Sequence, residues 1–345
     1  MTSPAEQIIL LTGASGFLAA HILDKFLSKG YKVRGTVRSE SSIEAIRKAT
    51  NPQYHDKLSF AIVPDMQAPY AFDEAVQGVN GIVHSASPFV LQAEDMARDI
   101  LDPAINGTLN MLKAAAAAKN PQLKRVIVTS SFAAIGDLDH GHRPGYTYSE
   151  RDWNPATYEA AAKHPSGAWV YCASKALAER AAWDFVEKEK PQFSLSTICP
   201  PWIIGPNINT ITSLNKLNES TQIIYNLING SLTAPPPTDF AGYADVRDVA
   251  EAHLLAYEKP AAAGERFLIA AGNWSYQTAC DIIRAEFPEL RDRVPVGTPG
   301  AGEKEDVYRL DNSKAKTVLG LKFRSTKETV TDSVKTLLRL EKELK

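Results

Sequence analysis

Tyr171 and Lys175 stand four residues apart in Tyr171-Cys172-Ala173-Ser174-Lys175, which places them on one face, one turn apart, if the segment is helical. A free phenol, with a pKa near 10, is a poor acid–base catalyst at neutral pH. An ammonium ~4 Å away at an effective dielectric of ~20 favours the phenolate by roughly 4 kcal/mol. Desolvation offsets part of this, and the balance predicts a lowered phenol pKa. Tyr171 could then protonate an oxygen on which negative charge is developing. The pattern is short for a chain with 12 tyrosines, so its meaning rests on what precedes it. An apolar run ends in Val128-Thr129-Ser130-Ser131. Serine at the carboxyl end of a strand in an open α/β sheet lies at the ligand crevice. The Ser131 hydroxyl there can bond the same oxygen, with Ser130 as its rival. Ser131, Tyr171 and Lys175 form the candidate catalytic set.

A proton donor of this kind calls for a hydride source. Thr12-Gly13-Ala14-Ser15-Gly16-Phe17-Leu18-Ala19 joins an apolar strand to a helix. Its glycines admit a pyrophosphate close to the backbone, and the helix N-terminus supplies N–H groups and partial positive charge. Gly13, Ala14, Ser15, Gly16, Phe17 and Leu18 are therefore the expected dinucleotide loop. An acid at the end of the second strand would bind ribose hydroxyls; here Gly35-Thr36-Val37-Arg38 ends in a cation. A guanidinium pairs with a 2′-phosphate and stacks on adenine, which selects NADP(H). Asp65, after the third strand, is a candidate acceptor for the adenine amino group, with the Met66 backbone completing the contact, although a turn aspartate also bonds its own backbone. Ala86, in His84-Ser85-Ala86-Ser87-Pro88-Phe89, leaves space for the cofactor. Pro200 and Ile203 end the sixth strand, where backbone could hold the nicotinamide carboxamide. Phe89, Phe132 and Trp202 would surround the substrate with apolar surface. His84 reads as a core histidine.

These groups need strands that end along one edge. Short apolar runs at Ile8–Thr12, Lys32–Val37, Ser59–Val63, Gly81–His84, Lys124–Thr129 and Leu195–Cys199 alternate with helical patterns at Phe17–Ser28, Asp95–Lys119 and Ala168–Lys188. Strands apolar throughout are buried on both faces. The alternation predicts an α/β fold with a doubly wound parallel sheet. After Gly205 the chain turns polar, with Pro235-Pro236-Pro237, and helices are expected at Val246–Tyr257, Tyr276–Phe287 and Thr326–Leu344 around a strand at Arg266–Ala270. The expected division is residues 1–204 as the dinucleotide domain and 205–345 mainly as a smaller C-terminal substrate lobe, with segments near 243–270 returning to the sheet.

Among 345 residues, 44% are hydrophobic, 23% are charged and the net charge is −2. Such a globular chain has neither the basic stripe that nucleic acid requires nor a polybasic membrane anchor. No apolar stretch reaches membrane-spanning length, and the N-terminal apolar run leads straight into the glycine turn. Cys172, Cys199 and Cys280 are widely spaced, which suits buried thiols in a reducing compartment. The histidines lack metal-ligand spacing, so no metal is expected. A cytoplasmic protein, monomeric or homodimeric, is expected.

Taken together, Thr12–Ala19, Gly35–Ser39, Val63–Met66, His84–Phe89, Thr129–Phe132 and Tyr171–Lys175 resemble the extended short-chain dehydrogenase/reductases, with their Rossmann domain. Trp153-Asn154-Pro155-Ala156-Thr157, Tyr243–His253 and Pro295–Gly302 narrow the likeness to the dihydroflavonol-reductase-like group and, within it, the fungal methylglyoxal/3-methylbutanal reductases. The resemblance implies NADPH-dependent reduction of small apolar aldehydes or ketones by Ser131, Tyr171 and Lys175. It also implies cofactor contacts from Gly13 to Leu18 and at Arg38, Asp65, Ile203 and Ser220. Pro201 and Trp202 depart from its pattern, as does Ser42, where a second basic phosphate partner is expected. Two alternatives share parts of the pattern. A nucleotide-sugar epimerase or dehydratase would use the same pair, but residues 205–240 hold Lys216 and no arginine for a diphosphate. A non-catalytic NADP(H)-binding regulator would need none of the three catalytic side chains.

Overall fold

The computed structural model describes residues 3–87, 93–304 and 306–344. Strand β1 (Ile8–Thr12) is apolar and leads through the glycine turn into helix α1 (Phe17–Ser28). Strand β2 (Lys32–Val37), helix α2 (Ser41–Ala49), strand β3 (Leu58–Ile62) and strand β4 (Gly81–His84) follow. A π-helical turn (Ala97–Leu101) runs into helix α3 (Asp102–Ala117), where one continuous helix over Asp95–Lys119 was expected. Pro103 accounts for the difference. It has no N–H for the helical ladder, and a widened turn ahead of it accommodates the ring.

The chain continues through β5 (Arg125–Thr129), β6 (Thr147–Tyr148), α4 (Tyr158–Ala162), α5 (Gly167–Glu189), β7 (Ser194–Cys199), β8 (Trp202–Ile204) and α6 (Glu219–Ile228). After these come β9 (Gly242–Asp245), α7 (Val246–Glu258), β10 (Glu265–Leu268), β11 (Gly272–Asn273), α8 (Tyr276–Glu286), β12 (Arg309–Leu310) and α9 (Thr326–Glu343).

Seven strands form one parallel sheet in the order β10-β7-β5-β4-β1-β2-β3. The order runs outward in both directions from β1 and β4, which makes the gap beyond their carboxyl ends the natural ligand crevice. Alternation along β1 shows why the sheet must be covered twice. Ile9 and Leu11 enter the core shared with α1 and α7, whereas Leu10 enters the core shared with α3 and α5. Helix α7 and strand β10 thus belong to the sheet although they follow the polar segment.

A smaller body forms around β11-β9-β8, α6, α8 and α9. Arg247 joins Asp245 to Asp332, and Arg324 pairs with the buried Asp248, so charged contacts tie α9 to the β9–α7 junction. Neither α2 nor this short-stranded second sheet was expected from the sequence.

The glycine turn is docked onto the end of β2. The Gly13 and Ala14 N–H groups donate to the Thr36 hydroxyl and carbonyl, each at 3.1 Å. A Cβ on Gly35 would lie 2.7 Å from the Ala14 Cβ. Gly35→Ala should therefore lift the turn off β2 and destabilise the fold by about 1–3 kcal/mol, as overpacking does. Chemical denaturation measures this, and an unchanged midpoint would show that the close approach is dispensable.

Candidate active site

Gly13 has φ +69°, a left-handed conformation suited to glycine. A Cβ there would meet the Ala86 Cα at 3.1 Å. The turn and the segment after β4 are therefore in contact. Thr12 strengthens the junction: its hydroxyl accepts from the Ala86 N–H at 3.0 Å and shares a hydrogen bond with His84 Nδ1 at 3.0 Å. His84 is buried, and burial with the Lys175 charge pushes its pKa down to about 3, so the ring is neutral. The expected core histidine is only half satisfied, because Nε2 has no partner among the described residues. Ser15 and Gly16 are exposed at the start of α1, which carries no side-chain cap. The first N–H groups of a helix have no acceptor within it, and a start without a side-chain cap suits an anion. Phe17 packs edge-on against His21, and Leu18 is core.

Arg38 is exposed at the end of β2, and among the described residues nothing pairs with its guanidinium. Asp65 uses Oδ1 to accept from the Gln67 N–H at 2.8 Å. Met66 sends its side chain against Gly107, and Asn110 takes its carbonyl at 3.2 Å. The Pro200 carbonyl accepts from the Phe132 N–H at 2.8 Å. Ile203 lies in β8, an edge strand of the small sheet, so one row of its backbone groups has no partner strand. Ser220 sits in the first turn of α6, which packs on β8.

Helix α5 carries Tyr171 and Lys175 on one face, as the spacing requires. The Lys175 ammonium donates to Ser87 Oγ at 2.6 Å and lies 5.3 Å from the centre of the Tyr171 ring. Burial lowers the Lys175 pKa to about 8. Burial also pushes the Tyr171 phenol well above its ordinary value, with Cys172 adding to the rise. This corrects the expected lowering. Desolvation outweighs the neighbouring ammonium in the free protein. The phenol is held protonated, the form a proton donor needs.

Ser131 resolves from its rival. Ser130 is buried and donates to Glu179 at 2.5 Å, whereas Ser131 is half-buried at the strand end. The Ser131 Oγ accepts from the Ala133 N–H at 3.1 Å, which leaves its own proton to donate. Phe132 departs from expectation. Its ring is 2% exposed and packs on Tyr148 and Tyr308, so it belongs to the core behind the crevice and does not wall it. Trp202 is half-buried, edge-on to Phe240, and its Nε1 is buried without a partner among the described residues. Phe89 lies outside the described residues. Cys172, Cys199 and Cys280 are free and buried. Among the described residues no acid, cysteine and histidine cluster could hold a metal, and no helix is long and apolar enough to cross a membrane.

Reasoning from sequence missed Ser87, Thr12 and Thr36, which join the parts of the site. Ser87 lay within a segment singled out for its small residues, but no spacing rule links it to Lys175.

A glycine turn at the switch point and a helix-borne Tyr-Lys pair beside it define a dinucleotide-dependent enzyme of the extended short-chain class. The NAD dependent epimerase/dehydratase family model matches residues 9–270, and the chain belongs to that family. It is 37% identical to the NADPH-dependent methylglyoxal reductase GRE2 of Saccharomyces cerevisiae, over 96% of this chain and 98% of the yeast protein. It is 39% identical to the ketoreductase azaE of Aspergillus niger, over 98% and 99% of the two chains. The crystal structure of yeast methylglyoxal/isovaleraldehyde reductase Gre2 complexed with NADPH superimposes with a TM-score of 0.90 at 35% identity, covering 97% of this chain and 99% of that one.

Two outcomes follow from the geometry. Arg38→Glu should weaken NADPH binding by about 10- to 100-fold, the worth of a charge-assisted contact, and leave NADH binding within about threefold. Equal losses in a fluorescence titration would remove the phosphate role. The kcat/KM for NADPH reports the free enzyme's groups. It should decline as pH rises through about 8, where Lys175 loses its charge while Tyr171 keeps its proton. A profile flat to pH 10 would contradict this assignment.

Proposed function

We propose that this protein reduces the carbonyl group of small aldehydes and ketones to the alcohol, using NADPH. The observation that carries the reading is the Lys175–Ser87 hydrogen bond at 2.6 Å, which sets the Tyr-Lys helix directly on the segment that the glycine turn touches. The exposed, unpaired Arg38 fits a 2′-phosphate, and the uncapped start of α1 fits a pyrophosphate. The close Gly13–Ala86 approach fits a dinucleotide lying across the switch point. Gly13 to Leu18, Arg38, Asp65, Met66, Ala86, Pro200, Ile203 and Ser220 are the residues proposed to hold it. When bound, NADPH supplies the hydride.

Tyr171 donates its phenolic proton to the carbonyl oxygen as that oxygen becomes negative. Ser131 donates a hydrogen bond to the same atom, and the lysine charge stabilises the phenolate as it forms. Lys175 also holds a ribose hydroxyl. The relatives named as NADPH-dependent reductase and ketoreductase support this chemistry over an epimerase or a non-catalytic regulator. Trp202, edge-on to Phe240, is proposed to meet the apolar substituent of the substrate, as is Phe89. The division proposed is a dinucleotide domain over residues 1–204, to which α7 and β10 return, and a substrate lobe over most of 205–345. Free buried thiols and a near-neutral charge suit a cytoplasmic enzyme that acts without nucleic acid or membrane, as a monomer or homodimer.

Purified protein should oxidise NADPH with a panel of apolar aldehydes and ketones, followed by absorbance. Tyr171→Phe should lower kcat by at least about 10²-fold, the scale of general acid catalysis, while NADPH affinity stays within about threefold. Full activity in that variant would refute the proton-donor role.

A further inference from the structure

One polar cluster in the interior is left unused by this mechanism. Glu179 lies on α5 one turn beyond Lys175, and its carboxylate is 1% exposed. Its Oε1 accepts from Thr197 Oγ1 at 2.6 Å, Arg266 Nε at 2.7 Å and Trp183 Nε1 at 3.3 Å. Its Oε2 accepts from Ser130 Oγ at 2.5 Å and Arg266 Nη2 at 3.1 Å. Apart from Trp183, the donors come from strands: Ser130 from the end of β5, Thr197 from β7 and Arg266 from β10. One carboxylate thus fixes the catalytic helix lengthwise against three strands.

Arg266 spends its remaining N–H groups on the carbonyls of Glu150, Asp152 and Ala134, and its guanidinium stacks 3.7 Å from the centre of Trp153. The Ala134 carbonyl belongs to the turn that Ser131 caps. That turn is held again by Asn154, which donates to the Ala133 carbonyl at 3.0 Å. The strand end is pinned on both sides of Ser131, because the Ser130 N–H donates to the Ile198 carbonyl and the Phe132 N–H to the Pro200 carbonyl, each at 2.8 Å. Ser131 itself is extended, at φ −157° and ψ 156°. Neighbouring side chains in extended backbone point to opposite sides. Ser131 therefore does not compete for Glu179, and among the described residues its Oγ accepts from the Ala133 N–H alone.

We infer that Ser130, Glu179 and Arg266 are positioning residues, which set the Ser131 hydroxyl in register with Tyr171 and Lys175 through one buried carboxylate. The inference rests on the reductase reading above. A buried ion pair contributes little net stability compared with apolar packing, so placement of the two catalytic elements is the role the geometry supports. Misplacement by about 1 Å costs up to ~10²-fold in rate.

Ser130→Ala removes the tether and leaves the ion pair intact, so the protein should fold with a melting temperature near that of the parent. Its kcat should fall on the order of 10-fold, with the NADPH Kd within about twofold, and Ser130→Thr should recover most of the loss. Because Ser130 acts through Ser131, adding Ser130→Ala to Ser131→Ala should cost nothing further, whereas an independent structural effect would multiply. Glu179→Gln, which keeps the shape and removes the charge, should lower kcat more than it weakens NADPH binding. Wild-type kcat in Ser130→Ala, or a loss that multiplies with that of Ser131→Ala, overturns the positioning role. Full activity in Ser131→Ala would instead count against the reductase reading of that serine.

Discussion

The site is arranged around the Lys175 ammonium, held half-buried between the Ser87 hydroxyl and the Tyr171 ring. Lys175 is held in the crevice with its pKa drawn down to about 8, beside a phenol whose proton burial retains. A lysine in such a place needs polar company. It finds the Ser87 hydroxyl at 2.6 Å and the face of the Tyr171 ring. Those two neighbours come from different parts of the chain. One follows β4, and the other lies one turn back on the same helix. The lysine thus links the segment after β4, which the glycine turn touches, to the helix that carries Tyr171.

The sheet makes that link possible. Parallel strands end along one edge, so the turn after β1, the segment after β4, the serines after β5 and the prolines after β7 lie at the same edge of the sheet. The rest of the fold holds that edge still. Thr36 anchors the glycine turn, Thr12 ties it to Ala86, and Glu179 ties α5 to the strand ends. Small residues at Gly13, Ala14, Gly35 and Ala86 let these segments approach to van der Waals contact.

Much of this was legible in the sequence because its signals are local. Strands β1, β2 and β4 and helix α1 begin and end where apolar runs and glycines place them. The Tyr-Lys face follows from helical spacing alone. What escaped notice depends on contacts between distant segments or on very short elements. Strands β8, β9 and β11 have too few residues to show a period, and α2 is short and buries only Ile46, so it shows little apolar face. The direction of the Tyr171 shift was misjudged because sequence shows the neighbouring charge and not the depth of burial. Phe132 is apolar at a strand end in either role, and only its packing on Tyr148 and Tyr308 assigns it to the core.

The central claim is that one crevice joins the glycine turn to the Tyr171–Lys175 face. A crystal structure with NADP⁺ and an unreactive carbonyl analogue tests it directly. The nicotinamide ring is expected beside Tyr171, the analogue's oxygen within hydrogen-bond reach of both the Tyr171 and Ser131 hydroxyls, and the 2′-phosphate on Arg38. A dinucleotide bound away from Lys175, or an analogue oxygen facing neither hydroxyl, would contradict it.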